Sequence, residues 1–274
     1  MRKVPRAVLT AVLYALLLVY LVPILIILYN SIKSFSEISL NVLSLPTHVE
    51  ALNFSKAFTL MSYPRLFTNT LIVTAGGTFG VILFSSMAGY KLSRTGSRIS
   101  WYLFLLCIAP MMIPFQSFMI ALVKVGRIAH LIGSDEGLAV IYWGLGAPLT
   151  VFLYHGFTKT VPRELDECAT LDGCSTGRLF FQVIFPLLQP VTVSALVLNA
   201  MWMWNDFLLP LLMLSGSRES VTLQLAMYGF FDRYRTEWNY ALAGVVLTVA
   251  PAVIFFIALQ KNIVKGMIAG AVKA

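Results

Sequence analysis

Charge is scarce in this sequence. Asp, Glu, Lys and Arg make up 12% of its residues, against 58% hydrophobic ones. A soluble domain of this size usually carries about a quarter charged residues. So few charges cannot cover a water-facing surface, so lipid must be part of the solvent. No long polar stretch is left over for a second domain, and one membrane domain over residues 1–274 is expected. Cysteine is also sparse: Cys107, Cys168 and Cys174 form no CxxC, and His48, His130 and His155 are scattered. Neither a disulfide framework nor a metal site follows from such spacing. The G-x-x-x-x-G-K-[ST] loop is absent, so the chain cannot cradle a nucleotide in the usual way. There is no internal repeat and no low-complexity tract. The net charge of +8 could suggest nucleic acid. A membrane protein has a simpler reason for it, because positive charge is retained on the cytoplasmic face.

Apolar length is what the sequence has in quantity. A membrane-spanning helix needs about 20 predominantly apolar residues. Uncharged runs of that kind lie at Ala7–Tyr29, Leu66–Tyr90, Ile99–Val123, Gly137–Thr158 and Trp238–Gln260, and Leu179–Gly216 carries only Asp206. The expected fold is all-α, a polytopic membrane protein with six helices at about 7–29, 68–90, 100–123, 137–158, 187–212 and 239–260. The first run follows Arg2, Lys3 and Arg6, as a signal peptide would. Its apolar core is too long for one, and no A-x-A site follows, so it is expected to be retained.

Placing the N-terminus inside puts Arg2, Lys3, Arg6, Lys91, Arg94, Arg98, Lys159, Arg163, Arg178, Lys261, Lys265 and Lys273 on the cytoplasmic side, twelve of the twenty basic residues. Acidic residues run the other way, seven outside and four inside. All four inner segments agree, so both termini are expected in the cytoplasm. The inner segment 159–186 then holds every cytoplasmic acidic residue: Glu164, Asp166, Glu167 and Asp172.

That segment reads as two short helices joined by a tight turn. Pro162 suits a first helical turn, where its missing N–H costs nothing. Glu164, Asp166 and Glu167 follow where the helix dipole favours negative charge. Val161, Leu165, Cys168 and Ala169 recur at helical spacing as a small apolar face. Asp172-Gly173 ends the helix, Ser175 caps a second one over Thr176–Phe185, and Pro186 and Pro190 kink or stop the chain before the fifth span. One reading is an amphipathic connector resting on lipid headgroups. Surface-lying helices are usually Lys- and Arg-rich, however, and acidic residues are repelled by an anionic leaflet. A small apolar face with charged edges better suits a groove on another protein.

Glu167-Cys168-Ala169, Asp172-Gly173, Pro186 and Pro190 together resemble the EAA loop of ABC-importer permeases, with Cys168 and Cys174 where alanine is usual. "TNTLIVTA" at 68–75, "GYKLSR" at 89–94, "WNDFLLPLL" at 204–212 and "QKNIVKGMIAGAVKA" at the C-terminus are similar to carbohydrate-type permeases. The last is similar to the tail of the shorter of two paired sugar-permease subunits, the maltose-type G subunit. The resemblance implies a non-catalytic permease subunit of the prokaryotic cytoplasmic membrane. It implies a second homologous permease, two ATPase subunits that bind ATP-Mg, and an extracytoplasmic sugar-binding protein as partners, with no cofactor on this chain. The loop would then be a coupling helix seated on the ATPase, with Glu164, Glu167, Cys168, Ala169, Leu171, Asp172 and Gly173 as its contact residues.

Other residues keep two readings. Asp206 is the only charge within a run. It lies roughly 24 Å along the helix from Pro190 at 1.5 Å per residue, near the outer interface where Trp202 and Trp204 suit an aromatic belt. It is either structural or, with Asn199, Asn205 and Gln116, part of a translocation path. Pro110 and Pro114 break the third run, either to line a cavity or only to pack. Gly76 and Gly80 form a GxxxG, which points to close helix packing. The outer loop 215–237 carries Tyr228, Phe230, Phe231 and Tyr234. By itself it reads as interfacial, and the resemblance makes it a contact for the binding protein.

An ion-coupled secondary carrier is the alternative to an ATP-driven permease. It would be expected to carry several ionisable residues within its spans, and only Asp206 is on offer. A membrane-embedded enzyme would need clustered His, Ser or carboxylates, and none is visible. The energy for transport is therefore expected to enter through the acidic elbow.

Overall fold

The structure, a computed structural model, describes the backbone of residues 6–217, 219–233 and 237–271, and side chains over 8–217, 219–228 and 237–258. The elements in chain order are α1 (Arg6–Asn30), α2 (Phe35–Leu40), α3 (Leu52–Leu60), α4 (Tyr63–Arg94), α5 (Arg98–Ile108), a 3₁₀ turn (Ala109–Met112), α6 (Phe115–Ile128) and α7 (Asp135–Thr158). There follow α8 (Glu164–Leu171), α9 (Thr176–Arg178), a π-helical stretch (Leu179–Ile184), α10 (Phe185–Leu187), α11 (Gln189–Asn205), α12 (Leu208–Leu214), α13 (Leu223–Arg233) and α14 (Trp238–Ala271). No strand occurs among the described residues.

Among the described residues, four helices are long and apolar enough to cross a membrane: Val8–Asn30, Tyr63–Arg94, Asp135–Thr158 and Trp238–Ala258. The third expected span is not a single rod, and the fifth is entered through a bend where Pro186 and Pro190 were expected to kink the chain. Arg98–Met112 and Phe115–Ile128 meet at 109°, and Thr176–Leu187 and Gln189–Asn205 meet at 80°. Proline explains both bends. Pro114 is the N-cap residue of α6 and cannot donate to the preceding turn, and Pro190 opens α11. The fifth helix also stops at Asn205 rather than continuing to 212. Asp206 turns to an extended conformation, and α12 starts afresh at Leu208.

Helix starts follow local chemistry. Ser134 Oγ accepts from the Gly137 N–H at 3.1 Å, with Asp135 and Glu136 in the first turn of α7. Ser97 Oγ does the same for Ser100 at the start of α5, also at 3.1 Å. The 32 residues of α4 span about 48 Å at 1.5 Å per residue, more than the roughly 30 Å hydrocarbon core. The helix is thus longer than the core it would cross.

The chain divides into two compact units, Met1–Pro64 with Ala226–Pro251 and Arg65–Leu225 with Ala252–Ala274. Within the first, buried polar groups organise the segment after α1. Asn53 Nδ2 donates to the Ser31 and Lys33 carbonyls at 3.0 and 2.8 Å, and Asn239 Nδ2 donates to Asn53 Oδ1 at 2.9 Å. Lys33, fully buried, donates to Asn41 O and Ser44 Oγ and lies 4.9 Å from the Tyr29 ring centroid.

Within the second unit, α4 packs on α7 through small residues. In lipid there is little hydrophobic drive between helices, so close approach and hydrogen bonds must hold them. A Cβ on Gly80 would lie 2.0 Å from Trp143 Nε1, and one on Gly89 would lie 2.6 Å from Tyr154 Cβ. Trp143 Nε1 uses that proximity to donate to Gly76 O at 2.9 Å. The GxxxG thus brings helices of this chain together. Val73, Val81, Leu138, Tyr142, Met203 and Met213 fill the core beside this contact.

Candidate functional site

The acidic segment forms an elbow whose geometry is set residue by residue. α8 runs from Glu164 to Leu171 with three carboxylates in its first turn. Pro162 lies just before it, with Arg163 at the N-cap position, so the helix starts later than the proline suggested. At the other end Gly173 has φ +78°. The Cys174 N–H donates to Ala169 O and the Gly173 N–H to Thr170 O, both at 3.0 Å. Those two bonds define a Schellman motif, which needs the left-handed residue that glycine supplies. Ala169 is buried there, and Cys174 packs against the same apolar cluster.

Ser175 then caps the next helix, its Oγ 3.5 Å from the Arg178 N–H. The chain passes through the π-helical stretch, α10 and the 80° bend into α11. Leu179, Phe180, Ile184 and Leu188 are buried against Tyr90 of α4, Tyr154 of α7 and Ala195 of α11. The elbow is thereby part of the core that joins three helices. Tyr154 adds a hydrogen bond from its hydroxyl to Thr192 Oγ1 at 2.9 Å.

A polar clamp fixes α8 to the end of α4. The Tyr90 hydroxyl donates to Asp166 Oδ1. Arg94 Nη2 lies 2.8 Å from Asp166 Oδ2, and it donates to Val161 O at 3.1 Å. Asp166 therefore faces inward beside Ala169, which is only 8% exposed. Glu164, Glu167, Cys168 and Leu171 follow i, i+3, i+4, i+7 spacing and share the outward face. Leu171, 87% exposed, forms the apolar tip of that face. The expected apolar face of Val161, Leu165, Cys168 and Ala169 is split. Val161 and Ala169 turn inward, while Leu165 and Cys168 are exposed. Clamping Asp166 to α4 sets this rotation of α8. Asp172 and Gly173 lie exposed at the turn.

Residues 80–269 match the family described as binding-protein-dependent transport system inner membrane component. The chain belongs to this family. It is 41% identical, over the whole length of both chains, to the probable starch degradation products transport system permease protein of Thermoanaerobacterium thermosulfurigenes. It is 32% identical to the melibiose/raffinose/stachyose import permease protein of Bacillus subtilis, covering 93% of this chain and 92% of that one. The fold is similar to a chain of a bacterial ABC transporter involved in import of the acidic polysaccharide alginate. The TM-score is 0.81 at 19% identity, covering 95% of this chain and 99% of that one. Membership makes the chain a non-catalytic membrane component of a transport system.

For a permease of this family, the expected path residues are not gathered in one place. Gln116 is exposed in the first turn of α6, just after the 109° bend. Asn199 is buried, its Nδ2 donating to Thr150 Oγ1 at 2.9 Å and Ala195 O at 2.8 Å, so it ties α11 to α7. Asn205 is exposed at the end of α11 and donates to Met201 O at 2.7 Å. Asp206 occupies the break between α11 and α12. It accepts from the Tyr142 hydroxyl at 2.7 Å and from the N–H of Leu208, the first residue of α12, at 3.1 Å. Trp202 packs edge-on against Tyr142 at 5.3 Å. Of the outer-loop aromatics, Tyr228 is exposed on α13. The side chains of Phe230 and Phe231, and the whole of Tyr234, lie outside the described residues.

Tyr90, Arg94 and Asp166 are the site residues that sequence reasoning missed as a group. In the sequence "GYKLSR" carries only a family resemblance, and Asp166 is one of four acidic residues in the inner segment. Clearer signals were a tyrosine and an arginine one turn apart at a helix end and an acidic helix expected on the same side.

Proposed function

We propose that the chain is one permease subunit of an ATP-driven, binding-protein-dependent importer of sugars or oligosaccharides in a prokaryotic cytoplasmic membrane. It crosses that membrane several times with both termini inside. It pairs with a second homologous permease, and together they form the alternating-access path. Two ATPase subunits bind ATP-Mg and drive the cycle, and this chain carries no cofactor of its own. An extracytoplasmic binding protein delivers the sugar to the outer loops, where Tyr228, Phe230, Phe231 and Tyr234 are contact candidates. Gln116, Asn205 and Asp206 remain the path candidates, and Asn199 acts by holding α11 against α7.

The observation that carries this reading is the elbow. A rigid helix presents Glu164, Glu167, Cys168 and Leu171 outward, while Asp166 and Ala169 bind it to α4, α7 and α11. Force applied to the outward face must pass into those helices, because the Schellman turn and the clamp leave α8 little independent motion. The named relatives transport sugars or sugar polymers, which supports the substrate class. Asp206, held between Tyr142 and the start of α12, has the partners of a structural carboxylate instead of a proton carrier. The test is co-purification with the cognate ATPase, followed by uptake of labelled oligosaccharide into proteoliposomes. Uptake that needs both ATP and the binding protein is expected. Uptake driven by an ion gradient without ATP would establish a secondary carrier.

A further inference from the structure

The segment that follows α1 carries an apolar patch with no part in the elbow. Leu40, Leu43 and Leu45 are 86%, 72% and 76% exposed. No Asp, Glu, Lys or Arg occurs from Ile38 to Val49. The backbone beneath these leucines is held by the protein's own side chains. Asn30 Nδ2 donates to Val42 O at 2.9 Å, and Lys33 Nζ donates to Asn41 O at 3.2 Å. The Leu43 N–H donates to Asn41 Oδ1 and the Thr47 N–H to Glu37 Oε1, both at 2.9 Å. A turn in water has no need of such partners, because the solvent supplies them. Away from water an unpaired backbone group is costly, and internal pairing becomes a requirement.

The depth of the segment is set by its contacts with α1. The Asn30 amide that holds Val42 O also donates to Ile26 O at 2.8 Å. Val42 therefore lies level with the last turn of a membrane-crossing helix. α2 folds back beside that turn, so that Ile26, Phe35, Ile38, Val42, Trp238 and Leu242 line one cleft of about 610 Å³ between α1, α2 and α14. Trp238 opens α14, and a tryptophan suits the level of the lipid headgroups. Leu25 and Leu28, flanking Ile26 on α1, are exposed as well.

We infer that residues 38–49 are seated in the membrane leaflet at the C-terminal end of α1, with Leu40, Leu43 and Leu45 against phospholipid acyl chains. A lipid fits this patch better than a soluble partner that docks and leaves. Such a partner would return three leucines to water in every cycle, and interfaces of that kind are no more apolar than ordinary protein surface. Lipid also offers neither donor nor acceptor, which matches a turn that pairs these backbone groups internally. The inference uses α1 as a span and does not depend on what is transported or on what drives transport.

The test places a photoreactive benzoylphenylalanine at position 43 in the complete transporter, reconstituted in phosphatidylcholine vesicles. After illumination, intact-mass spectrometry of this chain is expected to show a gain of one phospholipid mass. Separate variants carrying the same group at positions 40 and 45 should gain it too, so a single misfolded variant does not decide the outcome. Leu171, 87% exposed at the elbow tip, is the comparison away from lipid and is expected to gain none. A lipid adduct at position 43 no more frequent than at position 171 would overturn the inference. So would cross-links from positions 40, 43 and 45 to the second permease or to the binding protein, which would make the patch a protein interface.

Discussion

Asp166→Ala should loosen the elbow by an amount that can be worked out from its contacts. Asp166 accepts from the Tyr90 hydroxyl and pairs with Arg94 at 2.8 Å, the side chains of Arg94 and Asp166 being 14% and 18% exposed. A hydrogen bond to a charged group contributes about 1.5–3 kcal/mol. The two contacts share one carboxylate and are not additive, and residual solvent screens the ion pair. A net loss of about 2–3 kcal/mol follows. At 1.4 kcal/mol per factor of ten, local opening of α8 becomes roughly 30–150 times more frequent. Native-state hydrogen exchange reads that equilibrium directly in the amides of residues 164–172. Asp166→Asn keeps the volume and one acceptor and should lie between wild type and alanine. Arg94→Ala combined with Asp166→Ala should cost less than the two singles together, because they remove the same ion pair. The expected functional result is more ATP hydrolysed per sugar imported. Exchange over 164–172 changing by less than about threefold in Asp166→Ala would refute the clamp.

Gly89→Ala would place a Cβ 2.6 Å from Tyr154 Cβ and 2.9 Å from the His155 backbone N, forcing α4 from α7. A loss of about 1–3 kcal/mol is expected, read as a lower melting temperature in detergent. Gly96→Ala, with nothing within 4 Å, is the neutral control. Leu171→Ser should leave stability within about 0.5 kcal/mol, since the side chain is 87% exposed; it should weaken co-purification with the ATPase, and unchanged association would remove Leu171 from that contact. Glu37 is held near 2 by the Thr47 hydroxyl and N–H, against an ordinary value of 4.5. Its folded-state pKa is depressed, so its contribution is complete above about 4.5 and is lost as pH falls towards 2. A carboxyl resonance of Glu37 titrating near 4.5 would contradict the Thr47 contact.

Apolar run length and turn chemistry carried much of this fold into the sequence. The helical runs around 7–29, 68–90, 137–158 and 239–260 were visible because twenty apolar residues have few other uses. The end of α8 was visible because Asp172-Gly173 admits the left-handed turn that Gly173 adopts at φ +78°. Hydrophobicity has no direction, however. The 109° bend after Met112 and the 80° bend at Leu188 lie inside runs that remain apolar throughout. The prolines signalled a break but not its angle. The rotation of α8 was equally hidden, since Cys168 and Ala169 are both small and only the pairing of Asp166 with Arg94 decides which turns inward. That pairing joins segments far apart in the chain, Tyr90 and Asp166 being 76 residues apart. No local pattern reports such a contact. Asp206 stands out in the sequence as the one charge within an apolar run, and its partners Tyr142 and Leu208 are not legible there.

The central claim, that the elbow passes force from an ATPase to the membrane helices, is tested most directly with Gly173→Pro. Proline cannot adopt the φ of +78° found there and has no N–H to give Thr170 O, so the Schellman turn cannot form. The measurement is ATP-dependent sugar uptake by proteoliposomes containing the complete transporter, with membrane insertion of the variant checked in parallel. Normal insertion with uptake abolished while ATP hydrolysis persists is the predicted result. Wild-type uptake by Gly173→Pro would contradict the account.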